Sequence, residues 1–178
     1  MSEPGWTNTA ILKVNPRTAG QQSQVIQDKP VTYTHDDHQH GIILLKLQTP
    51  VTDVQPALLP DCRRRFRGHN VKLAGEGATT TGPNNKQLNI SAIPAHLQCV
   101  DMKVVAVSLV ELPYGHIFRA KAPNKEICYG DTGGAALHSG KIYGVISFGG
   151  EGACQSSATI MDVCKYKNWI KKTIKPGK

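Results

Sequence analysis

No stretch of this chain stays apolar for long. Its longest runs, such as Ile42-Ile43-Leu44-Leu45 and 104–107, are strand-sized. They fall far short of the roughly 20 residues that a membrane-spanning helix needs. No Cys-x-x-Cys occurs among the five cysteines, which argues against a zinc ribbon or a dithiol redox pair. The glycine-rich pieces Gly75-Glu76-Gly77 and Gly149-Gly150 fit neither a phosphate-binding loop nor a dinucleotide fingerprint. Internal repeats, low-complexity tracts and alternating βαβ units are also missing, and Pro and Gly are spread out rather than gathered into a linker. The start, Met1-Ser2-Glu3-Pro4-Gly5, has neither the basic residues nor the apolar core of a signal peptide. Acid is in short supply: 13 Asp and Glu stand against 21 Lys and Arg, for a net charge of +8. That surplus favours acidic partners such as sulfated glycans, anionic lipid surfaces or nucleic acid, the plain alternative being a solvated basic surface.

What is present suits one globular domain. The 178 residues are 39% hydrophobic and 19% charged, enough to bury a sizeable core. Runs rich in β-branched and aliphatic residues recur at 10–14, 41–47, 70–74, 97–107, 135–137 and 141–148. Between them fall turn formers: Asn15-Pro16, Thr81-Gly82-Pro83-Asn84-Asn85, Leu112-Pro113-Tyr114-Gly115 and Ser139-Gly140. Many short strands at such intervals predict an all-β antiparallel sandwich or barrel. One helix is expected, at 165–174, where Tyr166, Trp169, Ile170 and Ile174 recur at helical spacing opposite Lys167, Lys171 and Lys172. Five cysteines without metal-ligand spacing suit a disulfide-bearing extracellular protein with one thiol left over.

The chemistry-bearing stretch is Cys128-Tyr129-Gly130-Asp131-Thr132-Gly133-Gly134. It is one residue away from the Cys-x-Gly-Asp-Ser-Gly-Gly run of trypsin-like serine proteases. Further anchors follow in family order: Gly41-Ile-Ile-Leu-Leu-Lys-Leu47, Val54-Gln-Pro-Ala-Leu-Leu-Pro60, Val71-Lys-Leu-Ala-Gly75, Tyr143-Gly-Val-Ile-Ser-Phe-Gly149 and Val163-Cys-Lys-Tyr-Lys-Asn-Trp-Ile170. A lone Gly-Asp-x-Gly-Gly is weak evidence, but the ordered set is strong. On it, the chain resembles the C-terminal three-quarters of that family's domain over 6–174. The resemblance implies a chymotrypsin-like double β-barrel: a partial N-terminal barrel at 6–60, a C-terminal barrel at 70–157 and a helix at 165–175. It also implies bridges Cys128–Cys154 and Cys62–Cys164, with Cys99 free because His138 stands where its partner belongs. Arg119 lies near a second lost cysteine position. Each lost bridge forgoes about 2–4 kcal/mol.

The resemblance also defines what has changed. Thr132 occupies the nucleophile position and Gly41 the position of the orienting acid, while the chain starts past the point where the family's catalytic His lies. A hydroxyl at neutral pH is a poor nucleophile without a base, and the base needs its carboxylate. Thr132 also carries a methyl that restricts χ1 and crowds a site shaped for serine. Threonine nucleophiles use a terminal amine as base, and Thr132 is internal. The N–H groups of Gly130 and Thr132 retain the makings of an oxyanion hole. Asp131, lacking the family's freshly cleaved amine as partner, is expected to relax towards a zymogen-like arrangement. Glu126 stands at the place of the pocket acid, Gly149 keeps one pocket wall, and Ala158 replaces the opposite glycine, its methyl expected to narrow the slot.

Two other clusters stand out. His35-Asp36-Asp37-His38-Gln39-His40 holds zinc- or copper-type ligands, of which His38 and His40 share a face in an extended strand and His35 does not. The alternative there is a solvated polar loop. Arg63, Arg64, Arg65 and Arg67 form the densest positive cluster, a candidate polyanion site whose alternative is a solvated turn; Phe66 is too isolated for base stacking. Asn89-Ile90-Ser91 is an N-glycosylation sequon if the protein is secreted. The combined expectation is a non-catalytic homologue that binds a polyanion or a protein partner. No cofactor, membrane span or specific nucleic acid is expected, and family resemblance implies a secreted or granule location. Open barrel edges also invite self-association. The rival expectation is an active serine-type endopeptidase whose histidine lies upstream.

Overall fold

The computed structural model describes residues 7–14, 20–63, 67–78, 81–86, 96–147 and 153–175. In chain order the strands are β1 (Asn8–Leu12), β2 (Gln22–Ile26), β3 (Val31–His35), β4 (His38–Leu44), β5 (Asn70–Gly75), β6 (Gln98–Val107), β7 (Ile117–Lys121), β8 (Ile127–Cys128), β9 (Ala135–His138), β10 (Lys141–Ile146), β11 (Cys154–Gln155) and β12 (Ala158–Asp162), followed by helix α1 (Val163–Ile174). Six of these close into a barrel in the order β10-β12-β7-β6-β5-β9, each neighbouring pair antiparallel. The barrel takes in β12, so it extends past Ser157.

Strand alternation fills the barrel. Val71 and Leu73 of β5, Met102 and Val104 of β6, Phe118 and Ala120 of β7, and Ala158 and Ile160 of β12 point inward into one buried cluster. Lys72, Asp101 and Lys103 stay outside, and Lys72 Nζ reaches across to Asp101 Oδ2 at 3.1 Å. A bulge between Val104 and Ala106 breaks the β6–β7 register, leaving Val105 exposed.

The N-terminal third is built differently. Among the described residues it holds two separate two-stranded ribbons, β1–β2 and β3–β4. The β3–β4 turn is Asp36-Asp37, both with positive φ (46° and 62°), so His35 pairs directly with His38. A mirror-image two-residue turn of this kind matches the right-handed twist of the ribbon. The histidine-rich stretch is therefore a hairpin rather than a loop. Its strand starts at His38 and ends at Leu44, instead of running over 41–47.

A second apolar cluster joins ribbon, barrel and helix: Ile42 of β4, Ile117 of β7, Met161 of β12, and Val163, Tyr166 and Ile170 of α1. Because β12 alternates, Ala158 and Ile160 serve the barrel while Met161 serves this outer cluster. The helix starts two residues before the position its apolar spacing marks. Asp162 caps it, the carboxylate accepting from Cys164 N at 3.0 Å. Burial pushes the Asp162 carboxyl up from its ordinary range, the Cys164 hydrogen bond opposing the shift. Ile174, counted on the apolar stripe by spacing, is 62% exposed in the last turn.

Candidate active site

The turn carrying Thr132 is anchored at both ends. On one side, β8 pairs with β11, and Cys128–Cys154 bridges them. On the other, Gly133 N donates to Ile146 O of β10 at 2.9 Å. Within the turn, Asp131 N donates to Cys128 O at 3.0 Å and Gly134 N to Asp131 O at 2.9 Å. Thr132 is exposed at the crest. Among the described residues, no carbonyl accepts from the N–H of Gly130 or Thr132. Gly130 and Thr132 are both exposed.

Asp131 is turned inward rather than left without partners. Its carboxylate accepts from Gly77 N at 2.9 Å through Oδ1 and from Cys128 N at 2.8 Å through Oδ2. A Cβ at Gly75 or at Gly77 would run into that carboxylate, so both glycines make room for it. Two backbone amides thus hold Asp131 and fix the turn.

Gly41 lies in β4 and donates its N–H to Tyr114 O at 2.9 Å. A Cβ there would meet only Met161 Sδ at 3.4 Å and Tyr114 O at 3.7 Å, ordinary contacts. The position can hold a side chain; it simply has none. Beside it, His40 is 2% exposed. Its Nδ1 lies 2.8 Å from Tyr166 Oη, which in turn accepts from His116 N at 2.9 Å. Having accepted once, the phenol donates to His40 Nδ1, which assigns the proton to Nε2 by partner logic. That nitrogen lies 2.9 Å from Glu111 Oε1, off the line of a hydrogen bond, while His116 Nε2 lies 3.1 Å from Glu111 Oε2. Gly115, with φ +115°, makes room for this network, because a Cβ there would run into Tyr166 Oη. Sequence reasoning missed Glu111, His116 and the partner role of Tyr166. Only the two-sided demand of a buried imidazole pointed to such partners.

Among the described residues, no hydrogen bond joins an imidazole to Thr132. The three histidines of the β3–β4 hairpin do not converge on a metal either. His35 and His38 are exposed while His40 is buried, and no group of three ligands suited to a metal occurs among the described residues. It is His35, not His38, whose ring approaches His40, at 6.5 Å between centroids. The hairpin turn reverses the neighbours that a single extended strand would give.

The described residues expected around a substrate pocket fall in different surroundings. Glu126 is exposed and lines an open concavity of about 830 Å³ with Arg119, Asn85, Tyr114, Ser157 and Thr159. Ala158, expected on the pocket wall, belongs instead to the barrel core beside Ile127. Strand alternation explains this correction: the odd positions Ser157 and Thr159 face out, and the methyl between them faces in. Asn85 braces the mouth, its side chain bonding both Cys154 N and Cys154 O, at 3.0 and 2.8 Å. Gly149 lies outside the described residues.

The second bridge, Cys62–Cys164, ties the start of α1 to the inter-barrel segment, and Cys99 is free and exposed on β6. Arg63 is engaged: Nε and a terminal nitrogen grip Asp61 at 2.9 and 2.6 Å, a fork that holds the Asp61 carboxyl well below its usual range. Arg67 is exposed; Arg64, Arg65 and the Asn89–Ser91 sequon lie outside the described residues.

Comparison with known proteins bears on this arrangement. The family model described as Trypsin matches residues 7–170. Kallikrein-8 of Rattus norvegicus is 26% identical over 150 residues, which is 78% of this chain and 55% of the relative. Trypsin of Sus scrofa is 30% identical over 147 residues, covering 76% of this chain and 60% of the relative. Trypsin epsilon of Drosophila erecta is 34% identical over 118 residues, covering 61% and 46%. The chain thus spans about half the length of the curated relatives it matches. Among solved structures, neuropsin, a serine protease expressed in the limbic system of mouse brain, covers 87% of this chain and 73% of its own, with a TM-score of 0.66. At 21% identity that likeness speaks for the fold alone. With a match running from β1 into α1 and the Gly130-Asp131-Thr132-Gly133-Gly134 turn standing on a closed barrel, the chain belongs to the trypsin family of serine proteases.

Proposed function

We propose that this trypsin homologue is a non-catalytic member of its family and acts by binding. The observation that carries the reading is at Gly41: a residue without a carboxylate stands where the orienting acid belongs. The imidazole beside it is buried and hydrogen-bonded to Tyr166 through Nδ1, with Nε2 2.9 Å from Glu111 Oε1. Thr132 keeps a hydroxyl and two flanking N–H donors, but a hydroxyl with no base is a weak nucleophile. Loss of triad members in enzymes of this chemistry lowers turnover by about 10⁶, or roughly 8 kcal/mol. The burial of Ala158 in the core and the exposure of Glu126 support the same reading, since two residues expected around one slot lie in different surroundings.

The binding part of the proposal rests on charge. A net +8 draws polyanions to the surface. Two formed disulfides suit an oxidising, extracellular setting. The rival is an endopeptidase completed by a histidine elsewhere in the full protein, which the intact turn around Thr132 favours. Hydrolysis of small arginine, lysine and aromatic esters, compared between the protein and Thr132→Ala, separates the two. The expected result is no hydrolysis above the buffer rate in either; turnover that Thr132→Ala abolishes overturns the non-catalytic reading.

A further inference from the structure

We propose that a basic trough beside the Cys62–Cys164 bridge binds a linear sulfated polysaccharide, an inference that rests on the binding reading above and moves its contact surface off the arginine run. Two adjoining concavities, of about 690 and 530 Å³, share Asp61, Arg63 and Lys141 and so form one continuous depression. Lys167 and Lys171, one turn apart on α1, form one wall, and Lys141 at the start of β10 faces them. His138 lies at the far end. Four cations therefore surround a single carboxylate.

That carboxylate is gripped by one of them and also attracts Lys141 through space. Arg63 grips both oxygens of Asp61. Among the described residues, no acid pairs with Lys141, Lys167 or Lys171. Lys167 donates to Pro60 O at 2.6 Å, which fixes its stem and leaves its charge uncompensated. The floor is also held in place. Ile142 N donates to Leu58 O at 2.9 Å, Tyr143 Oη donates to Asp61 O at 3.1 Å, and the disulfide clamps the loop to the helix. A preformed site saves ordering entropy on binding.

The chemistry of the walls selects the ligand. Among the described lining residues, three ammonium groups are left for sulfates met one at a time, while the Arg63 guanidinium is already paired. The aromatic at the floor, Tyr143, is 9% exposed with its hydroxyl engaged, so no face is offered for base stacking. Apart from the bridge, the apolar lining of the lysine walls among the described residues is Leu59 and Pro60, with no aromatic anchor of the kind that holds peptides. Disulfide bonding fits the compartment in which sulfated glycans occur.

The test uses the full disulfide-bonded chain and a heparin-derived dodecasaccharide, with binding measured calorimetrically from low to physiological salt. The triple variant Lys141→Ala, Lys167→Ala, Lys171→Ala is expected to weaken binding by roughly tenfold or more and to lower the logarithmic salt slope by about one per lysine removed. Lys172→Ala with Lys175→Ala, outside the trough, should leave affinity within about twofold, and the triple Lys→Arg variant should bind as the parent does. Melting temperature checks that the variants are folded. The proposal is overturned if the triple alanine variant binds normally, or if Arg64→Ala, Arg65→Ala and Arg67→Ala abolish binding while it does not. Equal binding of the desulfated sugar, or of single-stranded DNA with the same losses, also overturns it. Absence of any binding, with esters still untouched, removes the trough and leaves the non-catalytic reading standing. Thr132-dependent ester hydrolysis removes that reading whatever the trough binds.

Discussion

His40 stands one place before Gly41 and directs both ring nitrogens into the protein, one to Tyr166 and one towards Glu111. Tyr166 is 1% exposed, and burial pushes its phenol up to about 12 from an ordinary 10.0. The native state therefore keeps this proton longer than the unfolded chain does. Stability tied to the neutral phenol is complete below pH 10 and is lost as pH rises from 10 to about 12. Urea unfolding at stepped alkaline pH should show that decline, with a slope of at most about 1.4 kcal/mol per pH unit from this group. Tyr166→Phe should flatten the decline and cost about 1–3 kcal/mol at neutral pH, because His116 N–H and His40 Nδ1 lose their partner. An unchanged alkaline slope in the variant would contradict the network. The family was legible in the sequence because the order of the motifs identifies it. The His40–Glu111–His116–Tyr166 network was not, since its members are up to 126 residues apart and only packing brings them together.

Elements were legible where alternation was long. The spacing marks β5, β6, β9 and β10, whose inward residues form the barrel core. Six strands left no such signal. β2 and β3 are mostly polar and mostly exposed, β8 and β11 are two residues long, β7 carries Arg119 and Lys121 outward, and β12 runs into α1 through Asp162 with no turn residue between. Asp162 ends a strand and caps a helix at once, which is why spacing alone put the helix start too late. The Cys62–Cys164 bridge fastens that helix start, closing a sequence separation of 102. Replacing both cysteines by alanine should remove about 4–5 kcal/mol on the loop-closure account, more than the shorter Cys128–Cys154 loop would cost. Denaturant midpoints of the two double variants check the order. A smaller loss for the Cys62–Cys164 pair would contradict it.

At the scale of the whole molecule, the C-terminal barrel is a closed unit and the N-terminal ribbons are not joined to each other among the described residues. The family match confirms the lineage to which the resemblance pointed. Local sequence could not show which way the side chains of Ala158 and Asp131 face. Ala158 faces the core because of strand phase, and Asp131 is held by Gly77 and Cys128 amides because two glycines let it in. The turn is therefore held as structure by its own backbone, independently of any reactivity at Thr132. The most direct measurement is mass spectrometry after exposure to an active-site-directed fluorophosphonate, which marks any activated hydroxyl by displacement of fluoride. The account predicts no adduct on the peptide containing Thr132, under conditions that label an active trypsin completely. A stoichiometric adduct at Thr132 would contradict it.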